Sequence, residues 1–175
     1  MNTSSTTAGP TKEEFIEFAQ QVFELARTGD AQTLERLLQK GLHPNMSNHK
    51  GDTLLMLAAY HGHVEATKTL LDGGAEPDRY NDMAQTPLAA AAYKGFQSVV
   101  EVLISNGARV DFAPPGGKTP LMFAAMFNRT DIVNFLLMRG AQSDTRSTEG
   151  LSALDLARSM GAADTAALLE ARMAG

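Results

Sequence analysis

Few side chains in this 175-residue chain are suited to metal or nucleophilic chemistry. There is no cysteine, which excludes disulfides, thiol catalysis and thiolate metal sites. His61 and His63 form a His-x-His pair that invites a metal interpretation. Residues two apart do not share a helix face, however, and no third ligand is evident beside them. We therefore expect no metal site, and we interpret His63 as a structural side chain.

Catalytic and phosphate-binding motifs are likewise unsupported. Residues 114–119 (PPGGKT) have the composition of a phosphate loop but lack its Gly-x-x-x-x-Gly-Lys spacing, so we interpret them as a turn. No acidic pair is placed for acid–base work, and no Ser/His/Asp arrangement stands out. The sequence therefore predicts a protein that is not an enzyme and has no cofactor.

The remaining chemistry is that of binding, and it recurs at a fixed step. The dipeptides Tyr60-His61, Tyr93-Lys94 and Met126-Phe127 follow one another every 33 residues, and Tyr80 and Met83 lie between the first two. Tyrosine combines a large contact area with a polar tip, and methionine adapts to irregular shapes. Both are enriched at protein interfaces.

The elements that must position these side chains share the same period. One step of 33 residues relates three sets: Thr53, Thr86, Thr119 and Ser152; Leu37, Leu70, Leu103, Leu136 and Leu169; and Gly41, Gly74, Gly107 and Gly140. A period in this range indicates a repeat architecture. Within each unit, a Thr N-cap with Pro at the next position predicts a short helix, a turn at Gly62, Gly95 or Asn128 separates two helices, and the last Gly ends the second.

The two ends of the array depart from this pattern. Thr11 and Glu14 form a capping box before a helix with an apolar stripe, which comprises Phe15, Phe18, Ala19, Val22, Phe23 and Ala26. At the other end, Ser152 and Asp155 again suit a cap. Glu170 replaces the apolar residue of the earlier units, so we expect it on an outer face with no further neighbour.

The repeated segments resemble the ankyrin repeat, over about residues 15–172. The matching pieces are 51–59 (GDTLLMLAA) with 62–65 (GHVE), 85–88 (QTPL) and 117–125 (GKTPLMFAA). The resemblance implies an all-α solenoid of stacked helix-turn-helix units with projecting finger turns. We expect a single domain over 11–175, with a helical unit at 11–47, repeats at about 48–80, 81–113 and 114–146, and a capping unit at 147–172. Residues 1–10 are predicted to be a flexible tail.

The resemblance also implies a concave binding surface, made from the finger turns and the outer ends of the first helices. On this chain it predicts partner contacts at Tyr60, His61, Tyr80, Met83, Tyr93, Lys94, Met126 and Phe127. The alternative is that the rings of Tyr60 and Tyr93 only cover their helix ends and lie on the next unit. Function is then expected to be non-catalytic protein binding through this face.

Charge and composition limit the other roles. A net charge of -5 and a pI of about 5.3 argue against nucleic-acid or anionic-membrane binding. The N-terminus has no secretory signal, so we expect a cytoplasmic protein, and we expect a monomer although its end faces could pair. The chain also looks like small bacterial ankyrin proteins, some of which support catalase by handling haem, or act as toxin-neutralising or host-directed proteins. Tyr60 beside His61 would be the haem ligand in the first alternative.

Overall fold

The computed structural model describes residues 11–173, so the predicted tail at 1–10 lies outside the described residues. Those residues form ten helices in five antiparallel pairs: α1 (Lys12–Thr28) and α2 (Ala31–Gln39), α3 (Leu54–His61) and α4 (Val64–Asp72), α5 (Pro87–Lys94) and α6 (Gln97–Ser105), α7 (Pro120–Met126) and α8 (Thr130–Met138), and α9 (Ala153–Ser159) and α10 (Ala163–Met173). No helix in this range is both long and apolar enough to cross a bilayer.

The first helix of each repeat starts where the Thr-Pro pattern predicts. The hydroxyls of Thr53, Thr86 and Thr119 each accept a hydrogen bond from the backbone N–H three residues later, at 3.1, 3.1 and 3.2 Å. Pro87 and Pro120 occupy the first helical position, where an N–H would have no intrahelical acceptor. These caps set the start of α3, α5 and α7.

Neighbouring units pack helix against helix, with the first helices in one layer and the second helices in the other. Ala58, Ala91 and Ala124 are fully buried between first helices, where a small side chain allows close approach. The repeated leucines at 70, 103 and 136 are fully buried as well. The predicted all-α repeat solenoid is confirmed.

Backbone hydrogen bonds join successive units at the same period. The side chains of Asn45, Asp78 and Asp111 accept from the backbone N–H 31 residues later, at 2.8, 3.1 and 3.0 Å. A second tie is steric, because a Cβ on Gly62 would lie 2.8 Å from the Phe96 ring of the next unit. The spacing between units is therefore held by both polar and apolar contacts.

The two ends differ in chemistry. At the C-terminal end Glu170 is exposed and paired with Arg158, Nη2 to Oε1 2.7 Å, as its outer position predicted. At the N-terminal end, the predicted stripe of α1 is buried only in its second half, at Val22, Phe23 and Ala26. Phe15 and Phe18 remain 59% and 41% exposed, because α1 extends beyond the unit against which it packs.

Candidate functional site

Three rings form a row across the C-terminal ends of α3, α5 and α7. Tyr60 and Tyr93 have ring centroids 6.3 Å apart, and Tyr93 and Phe127 meet edge to face at 4.4 Å. All three side chains are half-buried, so each ring contacts the next unit and still presents surface to solvent. Tyr60, Tyr93 and Phe127 are called the aromatic row below. Its rings do lie on neighbouring units, as the covering alternative required.

A pocket of about 390 Å³ opens beside the aromatic row. Its walls come from two kinds of element that the sequence keeps apart. Met56, Leu57 and Tyr60 of α3, with Tyr93 of α5, supply the helix side, and Lys50, Asp52, Met83 and Gln85 supply the finger side. The structure thus brings Tyr60, His61, Met83 and Tyr93 of the predicted set together.

The first two finger turns are tied to one another, which fixes the wall of this pocket. The Asp52 carboxylate accepts from Asn48 Nδ2 at 3.1 Å and from Asn81 Nδ2 at 2.8 Å. The backbone N–H of Asp82 donates to the carbonyl of Lys50 at 3.0 Å. Asp52 is therefore a structural residue, and Met83 stands 75% exposed on a supported turn.

Cationic and imidazole groups surround the Tyr60 end of the row. Lys94 Nζ lies 5.0 Å from the centre of the Tyr60 ring, and the His61 ring lies 5.3 Å from it. Burial lowers the pKa of His61, and the nearby His63, Lys94 and Arg27 lower it further. The imidazole of His61 is consequently neutral near pH 7.

His63 has a structural role, as its position in the repeat predicted. Its Nε2 lies 2.7 Å from the carbonyl oxygen of Arg27 in the preceding unit, and its ring packs against Gly29. The rings of His61 and His63 are stacked 6.3 Å apart. Within residues 11–173 no group of three or more His, Cys, Asp or Glu side chains could hold a metal ion.

Two predicted residues do not join the row. Tyr80 lies 6.4 Å from Phe112, ring to ring, in a separate pocket of about 460 Å³. Arg109 lines that pocket, stacked 3.8 Å over Phe112 and paired with Asp78 at 2.7 Å. Met126 is half-buried and packs against the core. Phe112 and Arg109 were not in the predicted set, since they lie outside the recurring helix-end dipeptides.

A family model described as ankyrin repeats (3 copies) matches residues 22–114, more than half of the chain. The chain belongs to the ankyrin-repeat family. A second ankyrin-repeat model (many copies) matches residues 103–157. Together the two matches run from the second half of α1 to α9, so they include the aromatic row and both finger-turn pockets.

A bacterial relative agrees with this assignment. A Pseudomonas aeruginosa protein named as an ankyrin repeat protein is 64% identical to this chain over 52 residues. The match covers 30% of this chain and 30% of that protein, so the chain aligns with about a third of its relative's length. Ankyrin repeats generally mediate protein–protein binding and are typically not enzymes.

The arrangement in this ankyrin-repeat chain is suited to contact rather than to chemistry. Residues 114–119 form a turn, in which the N–H of Gly117 donates to the carbonyl of Pro114 at 2.8 Å and Gly116 has a φ of 77°. The row and its pocket offer apolar rings with polar tips and a few charged groups at the rim. This is the composition of an interface centre with a polar border.

Proposed function

We propose that this chain binds a partner protein through its concave face, with the aromatic row as the anchor. The observation that carries the proposal is the unbroken contact of Tyr60, Tyr93 and Phe127 across three units, beside a pocket walled by finger turns. Aromatic side chains that stay partly exposed on a rigid support are the usual energetic centres of interfaces. The repeat scaffold needs little ordering on binding, which favours affinity.

The pocket beside the row indicates which groups of a partner it would receive. Met56, Leu57 and the two tyrosine rings supply an apolar surface, and Lys50, His61 and Gln85 supply hydrogen-bond donors at its border. We infer that an apolar side chain of the partner enters this pocket and that polar groups next to it contact the border. Met83, exposed on its finger turn, would close over that side chain.

The test is affinity capture from native extract with paired baits. One bait is the intact chain and the second carries Tyr60→Ala and Tyr93→Ala. The third bait carries Tyr80→Ala, a matched control because Tyr80 lies in the other pocket. Circular dichroism checks that every bait is folded, and the affinity of a captured protein is then measured with purified components.

We expect the double variant to bind at least about tenfold more weakly, because truncated interface anchors commonly cost that much. The Tyr80→Ala bait should bind like the intact chain. Equal binding by all three baits would show that the tyrosines only cover their helix ends. Loss in Tyr80→Ala alone would move the site to the pocket of Arg109 and Phe112.

A haem-handling role is a second proposal for the same pocket. It rests on one observation, that the Tyr60 phenol and the His61 imidazole lie side by side on its wall, 5.3 Å between ring centres. Tyrosine can hold ferric haem through its phenolate. Mixing the protein with hemin should then give a strong visible band that is lost in Tyr60→Phe and kept in Tyr80→Phe. A spectrum identical to that of free hemin would refute this role.

A further inference from the structure

We propose that the N-terminal end of the array is a docking surface for a second copy of the same chain, so that two copies pair end to end. The surface, called the end face below, consists of the outer side of α1 and α2 and the turn at residues 40–46. It is separate from the concave face, and the proposal does not depend on the function assigned there.

The repeated leucine position shows that the end face has the form of an inner interface. Leu70, Leu103, Leu136 and Leu169 are at most 1% exposed, including the one in the last unit. The position is therefore covered by the preceding unit. Leu37, which has no preceding unit within residues 11–173, is only half-buried. The end face thus presents to solvent a surface type that every other unit covers with a helix pair.

Apolar exposure is concentrated at this end. Phe15, Ile16 and Phe18 of α1 are 59%, 44% and 41% exposed. Beside them, a cleft of about 560 Å³ is lined by Phe15, Phe18, Leu37, Leu42 and Met46. A second cleft of about 440 Å³ continues between α1 and α2 and shares Phe18 and Leu37. Exposed apolar residues that adjoin one another in this way mark an interaction surface.

The end face is complementary to itself in shape and charge. Phe15 protrudes next to a cleft that could receive the same residue of a second copy. The first turns of α1 are rich in acid, with Glu13 and Glu17 exposed, while exposed Lys40 and His43 border the cleft on the α2 side. A two-fold axis would set the acidic wall of each copy against the basic wall of the other. This self-complementarity is the reason for assigning a second copy as the occupant.

The opposite end of the array does not offer an alternative. Arg158 and Glu170 form an exposed ion pair there, and a head-to-tail contact would take that pair out of water. Pairing through two N-terminal ends is isologous, so it closes as a dimer and does not continue into a filament. The expectation of a monomer, drawn from the sequence, is thereby replaced by a dimer.

Sedimentation velocity of the purified full chain over a wide concentration range tests the proposal. The wild type should show a monomer–dimer equilibrium. Phe15→Glu and Phe18→Glu should each raise the dimer dissociation constant at least about tenfold, because each places a charge in an apolar contact. Met138→Glu is the matched control, since Met138 is 68% exposed on α8 at a distance from α1. It should leave the dissociation constant unchanged.

A charge exchange gives a result that a merely unfolded variant could not imitate. Glu17→Lys and Lys40→Glu should each weaken self-association, and an equimolar mixture of the two should associate more tightly than either alone. A wild type that sediments as a monomer at every concentration would overturn the proposal. So would a dimer that Phe15→Glu and Phe18→Glu leave intact, or a mixture no tighter than its components. A chain that dimerises only after deletion of residues 2–10 would show that those residues occupy the end face instead.

Discussion

At the scale of single residues, the turn between the two helices of a unit depends on one left-handed position. Glycine fills it in three units, at φ values of 82°, 88° and 69° for Gly62, Gly95 and Gly161. Asn128 takes the same place at φ 56°. Its side chain compensates by donating to Asp164 Oδ2 at 2.7 Å and accepting from the N–H of Thr165 at 3.1 Å. Asparagine is thus both a tolerated residue and a link between units.

Substitution of Asn128 should separate these two contributions. Asn128→Ala loses both the hydrogen bonds and the residue's tolerance of positive φ, so we expect the free energy of unfolding to fall by about 1–3 kcal/mol. Asn128→Gly keeps the backbone conformation and loses only the hydrogen bonds, so it should lie between wild type and Asn128→Ala. Urea denaturation followed by circular dichroism measures the difference. Asn106→Ala, at a negative φ of -106°, is the control and should change little.

If Asn128→Gly were as unstable as Asn128→Ala, positive φ would not be the source of the loss. The hydrogen bonds to Asp164 and Thr165 would then carry the whole effect.

At the scale of helices, each first helix begins at a side-chain cap, and the last unit replaces the Thr-Pro cap with a charged one. The Ser152 hydroxyl accepts from the N–H of Asp155 at 3.2 Å. The Asp155 carboxylate accepts in return from the Ser152 N–H at 2.9 Å and from its hydroxyl at 2.7 Å. The backbone N–H and the hydroxyl of Ser152 lower the pKa of Asp155, and Arg146 and Arg158 lower it further. The start of α9 is therefore the pH-sensitive helix end of the array's last unit.

The sign of the pH effect follows from this lowered pKa. A carboxyl group whose pKa is lower in the folded state binds protons more readily when unfolded, so its contribution is present above the unfolded pKa. That contribution is lost as the pH falls through the folded pKa. Asp155→Asn should lower the melting temperature at neutral pH, and the two melting curves should converge in acid. Thermal melts followed by circular dichroism across pH 2–7 measure this, with Glu35→Gln controlling for the loss of one exposed charge.

A melting-temperature difference between wild type and Asp155→Asn that stays constant down to the acid limit would contradict the capping role of the carboxylate. It would instead indicate a packing effect of the substitution at α9.

At the scale of the whole molecule, stability arises from interfaces between neighbouring units. The middle units are flanked on both sides, and α5 and α7 contain long runs of buried residues. The first turns of α1, by contrast, have exposed side chains at nearly every position from Lys12 to Phe18. Opening of the array should accordingly begin at the N-terminal end of the described residues.

Hydrogen exchange followed by mass spectrometry should show this gradient in dilute solution. We expect the amides of α5 and α7 to exchange slowest and those of the first half of α1 to exchange fastest among the helices, since local opening is easiest where few buried contacts are lost. Raising the protein concentration should slow exchange in α1 if the end face pairs. Equal protection of α1 and α5 in dilute solution would contradict a stability gradient.

The repeat fold, the helix boundaries and the structural role of His63 were predictable because a period of 33 residues places equivalent side chains in equivalent surroundings. A Thr cap, a turn Gly and a buried Leu act locally or on the adjacent unit, so the same local rule holds in each repeat. The expectation that Glu170 faces outward followed in the same way, because a charge at a core position requires solvent.

Three features depended on the tertiary structure. Tyr93 meets Phe127 rather than Met126, because the offset between neighbouring units decides which of two adjacent side chains reaches the next ring. Tyr80 pairs with Phe112 in another pocket, because its finger turn faces Arg109 and not the helix ends. Exposure at Phe15 depends on what covers the end of the array. Each of these is a relation between units, whereas a repeated sequence specifies directly only what happens within one unit.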